Sequence, residues 1–502
     1  MARIDKVVTY AADRGFVYGP APEIYGGLAG FYTYGPLGKL LKNNVEEAIR
    51  KVFQHHDFYE VECPTVMPKE VWEASGHLGG FMDPVVKCEK CKKDFRVDHI
   101  IEEGYPDVQT AGWKPDQFES FMAEKEVPCP SCKGILPPEI EDHVLMMRTT
   151  IGLDQEAYNR PETATTTYLH FPRYLRFFRD KLPFGVFQIG KAYRNEISPR
   201  QFVVRMREFT QAEGQLFIYE DQKKDYEAFL HAKDEKLPFW SEALQKGGQG
   251  PSVISLQEAL DQKLVGTQAY AYVLHLAHKL FNEIGIPDDR LRIRQHHSEE
   301  KAFYAKDAWD LEIKTESFGW IECCGIHDRG SYDLEQHEKF SKTELKARDE
   351  QHEKQTPHVI EIAFGTDRPL FALLDIFYSA KEDNEERDLL SLPKALAPVK
   401  VAVFPLVNKL HDKAMEIYWD LKKSILCMYD KGGSVGRRYA RADEVGVPYC
   451  VTVDFETLEG KGVTVRDRDS TDQVRVPLEK LTEVISGLVS GALDFSEAGQ
   501  RL

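Results

Sequence analysis

The sequence predicts an α+β chain that ends in a separate, small α/β domain. Three observations carry this. Residues 184–218 read as two long strands joined by the loop Ile197-Ser198-Pro199-Arg200-Gln201, and a second hairpin runs from Trp309 to Gly325 around Ser317-Phe318-Gly319. A charged stretch with helical patterning, 220–290, lies between the two strand regions. From Pro398 onward strand and helix alternate.

The elements follow in order. Gly/Tyr-rich turns open the chain at Tyr25-Gly26-Gly27 and Tyr34-Gly35-Pro36. Apolar Leu40, Leu41, Val45, Ala48, Ile49 and Val52 then predict a helix over Leu37 to His55, and a short strand from Tyr59 to Cys63 is closed by Pro64. Residues 82–145 hold two CxxC pairs, many charges and several prolines, and read as an insertion. Strands return over 146–218, and Gly247-Gly248-Gln249-Gly250-Pro251 breaks the helical stretch that follows. Residues 292–334 read as strands, and His337 to Lys354 as a solvated helix. Val359 to Ala363 is a strand broken by Gly365. Pro369 then sits near the start of a helix bearing Leu370, Phe371, Leu373, Leu374 and Phe377. Lys381 to Asp388 is charge-rich. Past it come a strand over Val399 to Pro405, a helix over Lys409 to Tyr429 and a strand over Tyr449 to Asp454. The expected division is a core of residues 1–81 and 146–380, with 220–290 as its helical insertion. The cysteine insertion at 82–145, a linker at 381–397 and a C-terminal domain at 398–502 complete it.

Composition bounds the function. A chain of 502 residues holds about two or three domains, and 42% hydrophobic with 29% charged residues is that of an ordinary soluble protein. The net charge of −17 argues against coating nucleic acid by bulk positive charge, though not against a local basic surface. No run of about 18 apolar residues exists and Met1 to Arg14 lacks an apolar stretch. Neither a membrane span nor a signal peptide is expected, and the expected address is the cytoplasm.

Four of the nine cysteines form the pairs Cys88-Glu89-Lys90-Cys91 and Cys129-Pro130-Ser131-Cys132. Each CxxC lets two thiolates reach one ion, and two pairs complete a tetrahedral zinc shell with no open position, a structural site. The bland alternative is four free cysteines in a surface loop.

Along the second strand of the first hairpin, Val204, Met206, Ala212, Leu216 and Ile218 fall on one face. Arg205, Arg207, Phe209, Gln211, Glu213 and Gln215 fall on the other. Cations, an aromatic and a carboxylate in that order suit phosphates, a flat base and an ammonium group. A solvated hairpin with cross-strand ion pairs would account for Arg205 and Glu208, but less well for Phe209. Two segments add weight. Glu322 is a lone acid among apolar residues, costly unless partnered by a cation, metal or ammonium. Arg368 opens a helix, where its charge opposes the dipole, so its place favours function over helix stability.

These residues resemble a known family. Tyr193-Arg194-Asn195-Glu196, its loop, and Arg205 four before Phe209 resemble the second signature of class II aminoacyl-tRNA synthetases. Gly365 to Arg368 resembles the third signature, and the helix and strand ending at Pro64 resemble the first, which in this class forms the dimer interface. Within the class the chain is similar to the dimeric glycyl-tRNA synthetases. The matches are Arg160-Pro161-Glu162-Thr163-Ala164, Arg194 to Arg200, Arg207-Glu208-Phe209, Gly319 to Glu322, Val359-Ile360-Glu361, the cysteine insertion, and Val435 to Tyr439 with Asp443 to Tyr449.

The resemblance implies an antiparallel-sheet catalytic domain, a C-terminal anticodon-binding domain, a homodimer, and tRNA(Gly), glycine and ATP as partners, with Mg2+ and structural Zn2+. It places Arg194 on the α-phosphate and the adenine between Phe209 and Arg368, with Arg194, Glu196 and Arg368 as catalytic residues. The ATP site would take in Arg194, Asn195, Glu196, Val204, Arg205, Met206, Arg207, Glu208, Phe209, Glu322, Cys323, Gly365, Thr366, Asp367 and Arg368, with Glu322 toward magnesium. Glycine would meet Glu162, Phe209, Thr210, Gln211, Ala212, Glu213, Glu361, Ile362, Ala363, Phe364 and Gly365, with Arg96 reaching in from the insertion. No editing domain is expected, because excluding side chains larger than glycine's is the easier direction of discrimination.

Two places depart from the family pattern. Thr165-Thr166 stands where Gln-Gly is usual, and Ile362-Ala363 where Pro-Ser is usual. Ala363 removes a hydroxyl from the implied pocket, and Thr165 or Thr166 could supply one. The leading expectation is a glycine–tRNA ligase. The alternatives are a paralogue that adenylates another small amino acid or loads a different acceptor, and a non-catalytic nucleic-acid-binding subunit on the same fold. The last would be free to lose Arg194 and Arg368, and both are present.

Overall fold

The structure, a computed structural model, describes residues 2–108, 110, 112–197, 199, 201–297, 307–348, 353–381 and 387–502. Ser198 and Arg200 of the first hairpin's loop, residues 349–352 of the expected solvated helix and 382–386 of the linker lie outside the described residues.

A nine-stranded sheet positions the site. Its strands are β1 (Phe58–Glu60), β2 (Phe184–Tyr193), β3 (Glu208–Ile218), β4 (Lys236–Trp240), β5 (Ser252–Ser255), β6 (Leu291–Gln295), β7 (Asp307–Thr315), β8 (Gly319–Gly330) and β9 (His358–Gly365). Across the sheet the order is β5-β4-β6-β7-β8-β9-β3-β2-β1. All neighbours are antiparallel except β1 with β2 and β4 with β6.

Period-two alternation sorts the two faces. Ala212, Leu216, Ile326, Ile360, Ile362 and Phe364 turn to the core beneath helices α1 (Pro36–His55) and α2 (Gln268–Glu283). Gly214 lets α1 lie close, since a Cβ there would sit 2.6 Å from the Phe53 ring. The opposite face carries Gln211, Glu213 and Gln215, then Glu361, Ala363 and Gly365 beside them, then Gly325 and His327.

Several expectations are corrected. The strand starts at Glu208, not at Val204. Phe202–Val204 is a 3-10 turn entered through Gln201 and Phe202 at φ 74° and 55°, so residues 204–207 do not share the sheet's alternation. The 220–290 stretch is not all helical, because β4 and β5 extend the central sheet from within it. The expected solvated helix is Tyr332–Ser341, ended by Lys342 at φ 59°. The helix expected to reach Tyr429 stops at Leu421, and Cys427–Tyr429 is a strand.

The insertion has its own apolar cluster, with helices Val97–Gly104 and Pro115–Lys125 beside a three-stranded sheet. The C-terminal residues form a six-stranded sheet around Val401–Pro405 with a separate core. They meet the N-terminal helix, where the Tyr10 hydroxyl donates to the Glu444 carbonyl at 2.6 Å. They also meet α1, where Leu37 packs against the apolar cluster that includes Val399 and Ala402. Among the described residues no helix is long and apolar enough to cross a membrane.

Candidate active site

A cavity of about 470 Å³ opens on the polar face of the sheet. One end is acidic. Glu162, Glu213 and Glu361 all line it, joined by Arg329 and His327. The Thr163 hydroxyl and the Gln211 amide each donate to Glu213 at 2.5 Å. Tyr168 donates to Glu361 at 2.8 Å, and Thr165 to Glu162 at 2.6 Å. Glu162 is delivered by an anchored turn: buried Arg160 donates to the carbonyls of Lys191 and Cys63 and to Gln188, which donates back to the Thr163 carbonyl at 2.8 Å.

Charge is unevenly shared. Burial, with Glu361 and Glu162 nearby, pushes Glu213 up to about 8. Burial alone would also raise Glu162, but His77 at 3.5 Å, Arg329 and the Thr165 hydroxyl hold it below the usual carboxylate range. Glu361 is likewise held low against its burial, by Arg329 and then His327. At neutral pH the pocket therefore holds two carboxylates and a largely protonated third.

The other end is cationic and aromatic. The Arg194 guanidinium lies 5.3 Å from the Phe81 ring centroid and 5.4 Å from that of Phe209. Arg368 donates to the Val204 carbonyl at 3.2 Å and the Glu322 carbonyl at 2.6 Å, and its charge sits 3.7 Å from the Glu322 carboxylate. Arg205, Met206 and Val204 line the wall, as do Cys323, Gly365 and Phe364. The Glu196 Oε2 is buried in this wall with no hydrogen-bond partner among the described residues. Asp367 reaches the cavity, yet its carboxylate is already engaged by Tyr34, by Lys42 at 2.5 Å and by the Thr210 N–H at 2.8 Å. Arg96, paired with Asp83 at 3.0 Å and with Asp98, reaches in from the insertion.

Seven of the expected site residues do not line this cavity. Thr210, Ala212 and Ile362 alternate to the other face of the sheet, and Thr366 is buried under the turn that its N–H ties to the Thr210 carbonyl. Arg207 precedes the strand and donates to the carbonyls of Glu196 and Ala29. Glu208 pairs with Lys191 at 3.0 Å, and Asn195 donates its N–H to the Leu145 carbonyl. Thr165 and Thr166 do not replace the missing hydroxyl, because Thr165 donates to Glu162 and Thr166 to the Thr163 carbonyl. His77, Phe81, Asp83, His327 and Arg329 were not foreseen. They come from the short helix His77–Gly80, the residue after it, the strand Met82–Lys87 and β8, and only the odd-face position of His327 and Arg329 on a long strand could have hinted at them.

The four insertion cysteines converge. Their sulfurs lie within 4.8 Å of one another, with Cys88 to Cys132 at 3.6 Å and Cys91 to Cys129 at 3.7 Å. Tetrahedral zinc with bonds of about 2.3 Å places thiolates about 3.8 Å apart, so the spacing fits. The two turns match: Lys92 and Lys133, each following its second cysteine, share φ 59° and return an N–H to the first cysteine's carbonyl.

Comparison with known proteins then places the chain. A family model described as an anticodon binding domain matches residues 400–488. A solved structure of prolyl-tRNA synthetase from Cryptosporidium parvum, complexed with halofuginone and AMPPNP, aligns with a TM-score of 0.59 over 98% of this chain and 77% of that one. At 15% identity this likeness speaks to fold alone. The fold is that of a class II aminoacyl-tRNA synthetase. Full-length relatives narrow the assignment. The glycine–tRNA ligase of Methanococcus maripaludis (strain S2) is 38% identical over 97% of this chain and 99% of its own length. That of Methanocaldococcus jannaschii is 39% identical over 96% and 98%, and that of Thermococcus sibiricus 38% over 95% and 97%. The chain belongs to the glycine–tRNA ligase family.

Proposed function

We propose that this cavity activates glycine with ATP as glycyl-adenylate and passes the glycyl group to tRNA(Gly). The observation that carries the reading is the polarity of one sheet face, with Glu162, Glu213 and Glu361 at one end and Arg194, Arg205, Arg368 and Phe209 at the other. A glycine ammonium suits the first end, and triphosphate and adenine suit the second.

In the first step a glycine carboxylate oxygen bonds to the α-phosphorus, and the bond to the bridging oxygen breaks to release pyrophosphate. Two anions meet, so positioned cations supply most of the catalysis. Arg194 offsets charge at the α-phosphate, Phe209 and Arg368 hold the adenine, and Arg205 faces the outer phosphates. Mg2+, when bound, would offset the remaining phosphate charge. Glu196, with an oxygen unpartnered among the described residues, and Glu322 are the carboxylates suited to hold it. Cys88, Cys91, Cys129 and Cys132 would hold structural zinc, which keeps Arg96 in reach of the cavity. A cytoplasmic homodimer is part of the same reading, supported by the resemblance of the Leu37-to-Pro64 region to a dimer-forming signature. Exposed Ile24, Tyr25 and Leu28 suit such an interface.

Amino-acid-dependent ATP–pyrophosphate exchange with glycine, alanine and serine side by side tests the specificity. Glycine should dominate, since larger side chains gain only repulsion in a pocket shaped for none. Equal exchange with alanine or serine would overturn the reading.

A further inference from the structure

Behind the acidic end of the cavity lies a second group of metal-ligating side chains. His296, Asp310 and His327 each offer one ligand atom, and these atoms lie within 4.8 Å of one another. The His296 Nε2 and the Asp310 Oδ2 are already 2.7 Å apart. The three come from neighbouring parts of the sheet. His327 on β8 pairs with Ala308 on β7, whose carbonyl accepts the His296 N–H just past β6, and Asp310 lies two residues further along β7 on the same face. Small neighbours make the room. Gly325, opposite Asp310, has no side chain, and a Cβ there would sit 2.6 Å from the His327 ring. The Nδ1 of His327 stands 3.7 Å from the Glu361 carboxylate.

We propose that His296, Asp310 and His327 bind a divalent cation of the zinc class, distinct from the four-cysteine site. Two half-buried imidazoles and one buried carboxylate are a donor set that suits such an ion and leaves a fourth position for water. Arg294 stands 3.6 Å from Asp310 and competes for it, so this ion is held less tightly than one in a four-thiolate shell. Bound there, the ion fixes the His327 ring against Glu361, so the site acts as a positioning element for the amino-acid end of the cavity. That second statement rests on the glycine reading; the binding of the ion does not.

The test uses the full-length protein. After chelator treatment and equilibrium dialysis against micromolar Zn2+, metal analysis should give about two ions per chain for the wild type. It should give about one for His296→Ala and for Asp310→Asn, with circular dichroism unchanged. A wild type that holds one ion, or variants that still hold two, overturns the site. Co2+ gives an independent reading. The four-thiolate site produces thiolate-to-metal charge-transfer bands, which should be unchanged in His296→Ala, while the part of the ligand-field absorption added by the second Co2+ is lost. In amino-acid exchange, His296→Ala should raise the KM for glycine roughly tenfold and leave the KM for ATP nearly unchanged. Loss of the ion with both KM values unmoved overturns the positioning role and leaves the metal site standing.

Discussion

Glu213 is the residue on which the pocket's pH response turns. Its carboxyl is pushed up to about 8 by burial and by the Glu361 and Glu162 charges. A raised carboxyl binds its proton more tightly folded than unfolded, so its contribution to stability is full below the unfolded value. That contribution is lost as pH climbs toward about 8. Glu213→Gln should therefore flatten the fall in thermal stability over that window. Binding of an ammonium group reverses the preference by favouring the ionised form. The KM for glycine should fall as pH rises from about 6 to about 8, and Glu213→Gln should have a high KM with no such slope. A wild-type KM that is flat in pH would contradict this. At the opposite end, Arg194→Ala should abolish pyrophosphate exchange while leaving the fold intact by circular dichroism, because Arg194 lies beside two rings and donates to the Pro161 carbonyl, contacts at the cavity wall rather than in the core. Retained exchange would remove it from the phosphate.

At the scale of elements, Asp367 is a junction. It opens helix α3 (Asp367–Phe377), takes Lys42 and Tyr34 from α1 and the strand before it, and caps the Thr210 N–H of β3. Both partners of the Lys42–Asp367 pair are nearly inaccessible, at 3% and 2% exposure. Removing one leaves a buried charge, so Lys42→Met should destabilise by about 3 kcal/mol, and the double variant with Asp367→Asn should recover part of that. Denaturant unfolding of the two single variants and the double variant measures it. The same junction shows what was legible in the sequence. Glycine after a strand and an arginine at a helix start marked the turn, and alternation along β3 placed Phe209 and Glu213. Nothing local marked Asp367 as a partner of Lys42, because that contact spans 325 residues. Strands β4 and β5 escaped for a related reason: they are short, β4 carries Pro238, and the pairing of β4 with β6 and of β5 with β4, rather than propensity, makes them strands. His77 joins the site only through tertiary packing, which no periodicity reports.

The whole molecule couples three bodies to one cavity, and each coupling has a different expected failure. The insertion reaches the cavity through Arg96, which lies on the strand paired with the one leading into Cys88. Stripping metal from the four cysteines should therefore lower glycine-dependent exchange as well as loosen the insertion; proteolysis within 82–145 with unchanged exchange would separate the two. The C-terminal body touches the catalytic one away from the cavity, through Tyr10, Arg14 and Leu37. It also has an apolar core of its own. None of its residues lines the cavity. A chain ended at residue 397 should accordingly keep glycine-dependent pyrophosphate exchange within a fewfold and lose most charging of tRNA(Gly). Its melting temperature should fall, because Leu37 and Tyr10 lose their cover. The two activities must part for this account to hold. On the proposed reading, adenylate formation would be set by the polar face of one sheet, whereas tRNA recognition would need the surface that the C-terminal body adds. If truncation abolished exchange and charging equally in a chain that remained folded, the cavity would not be complete without its C-terminal partner.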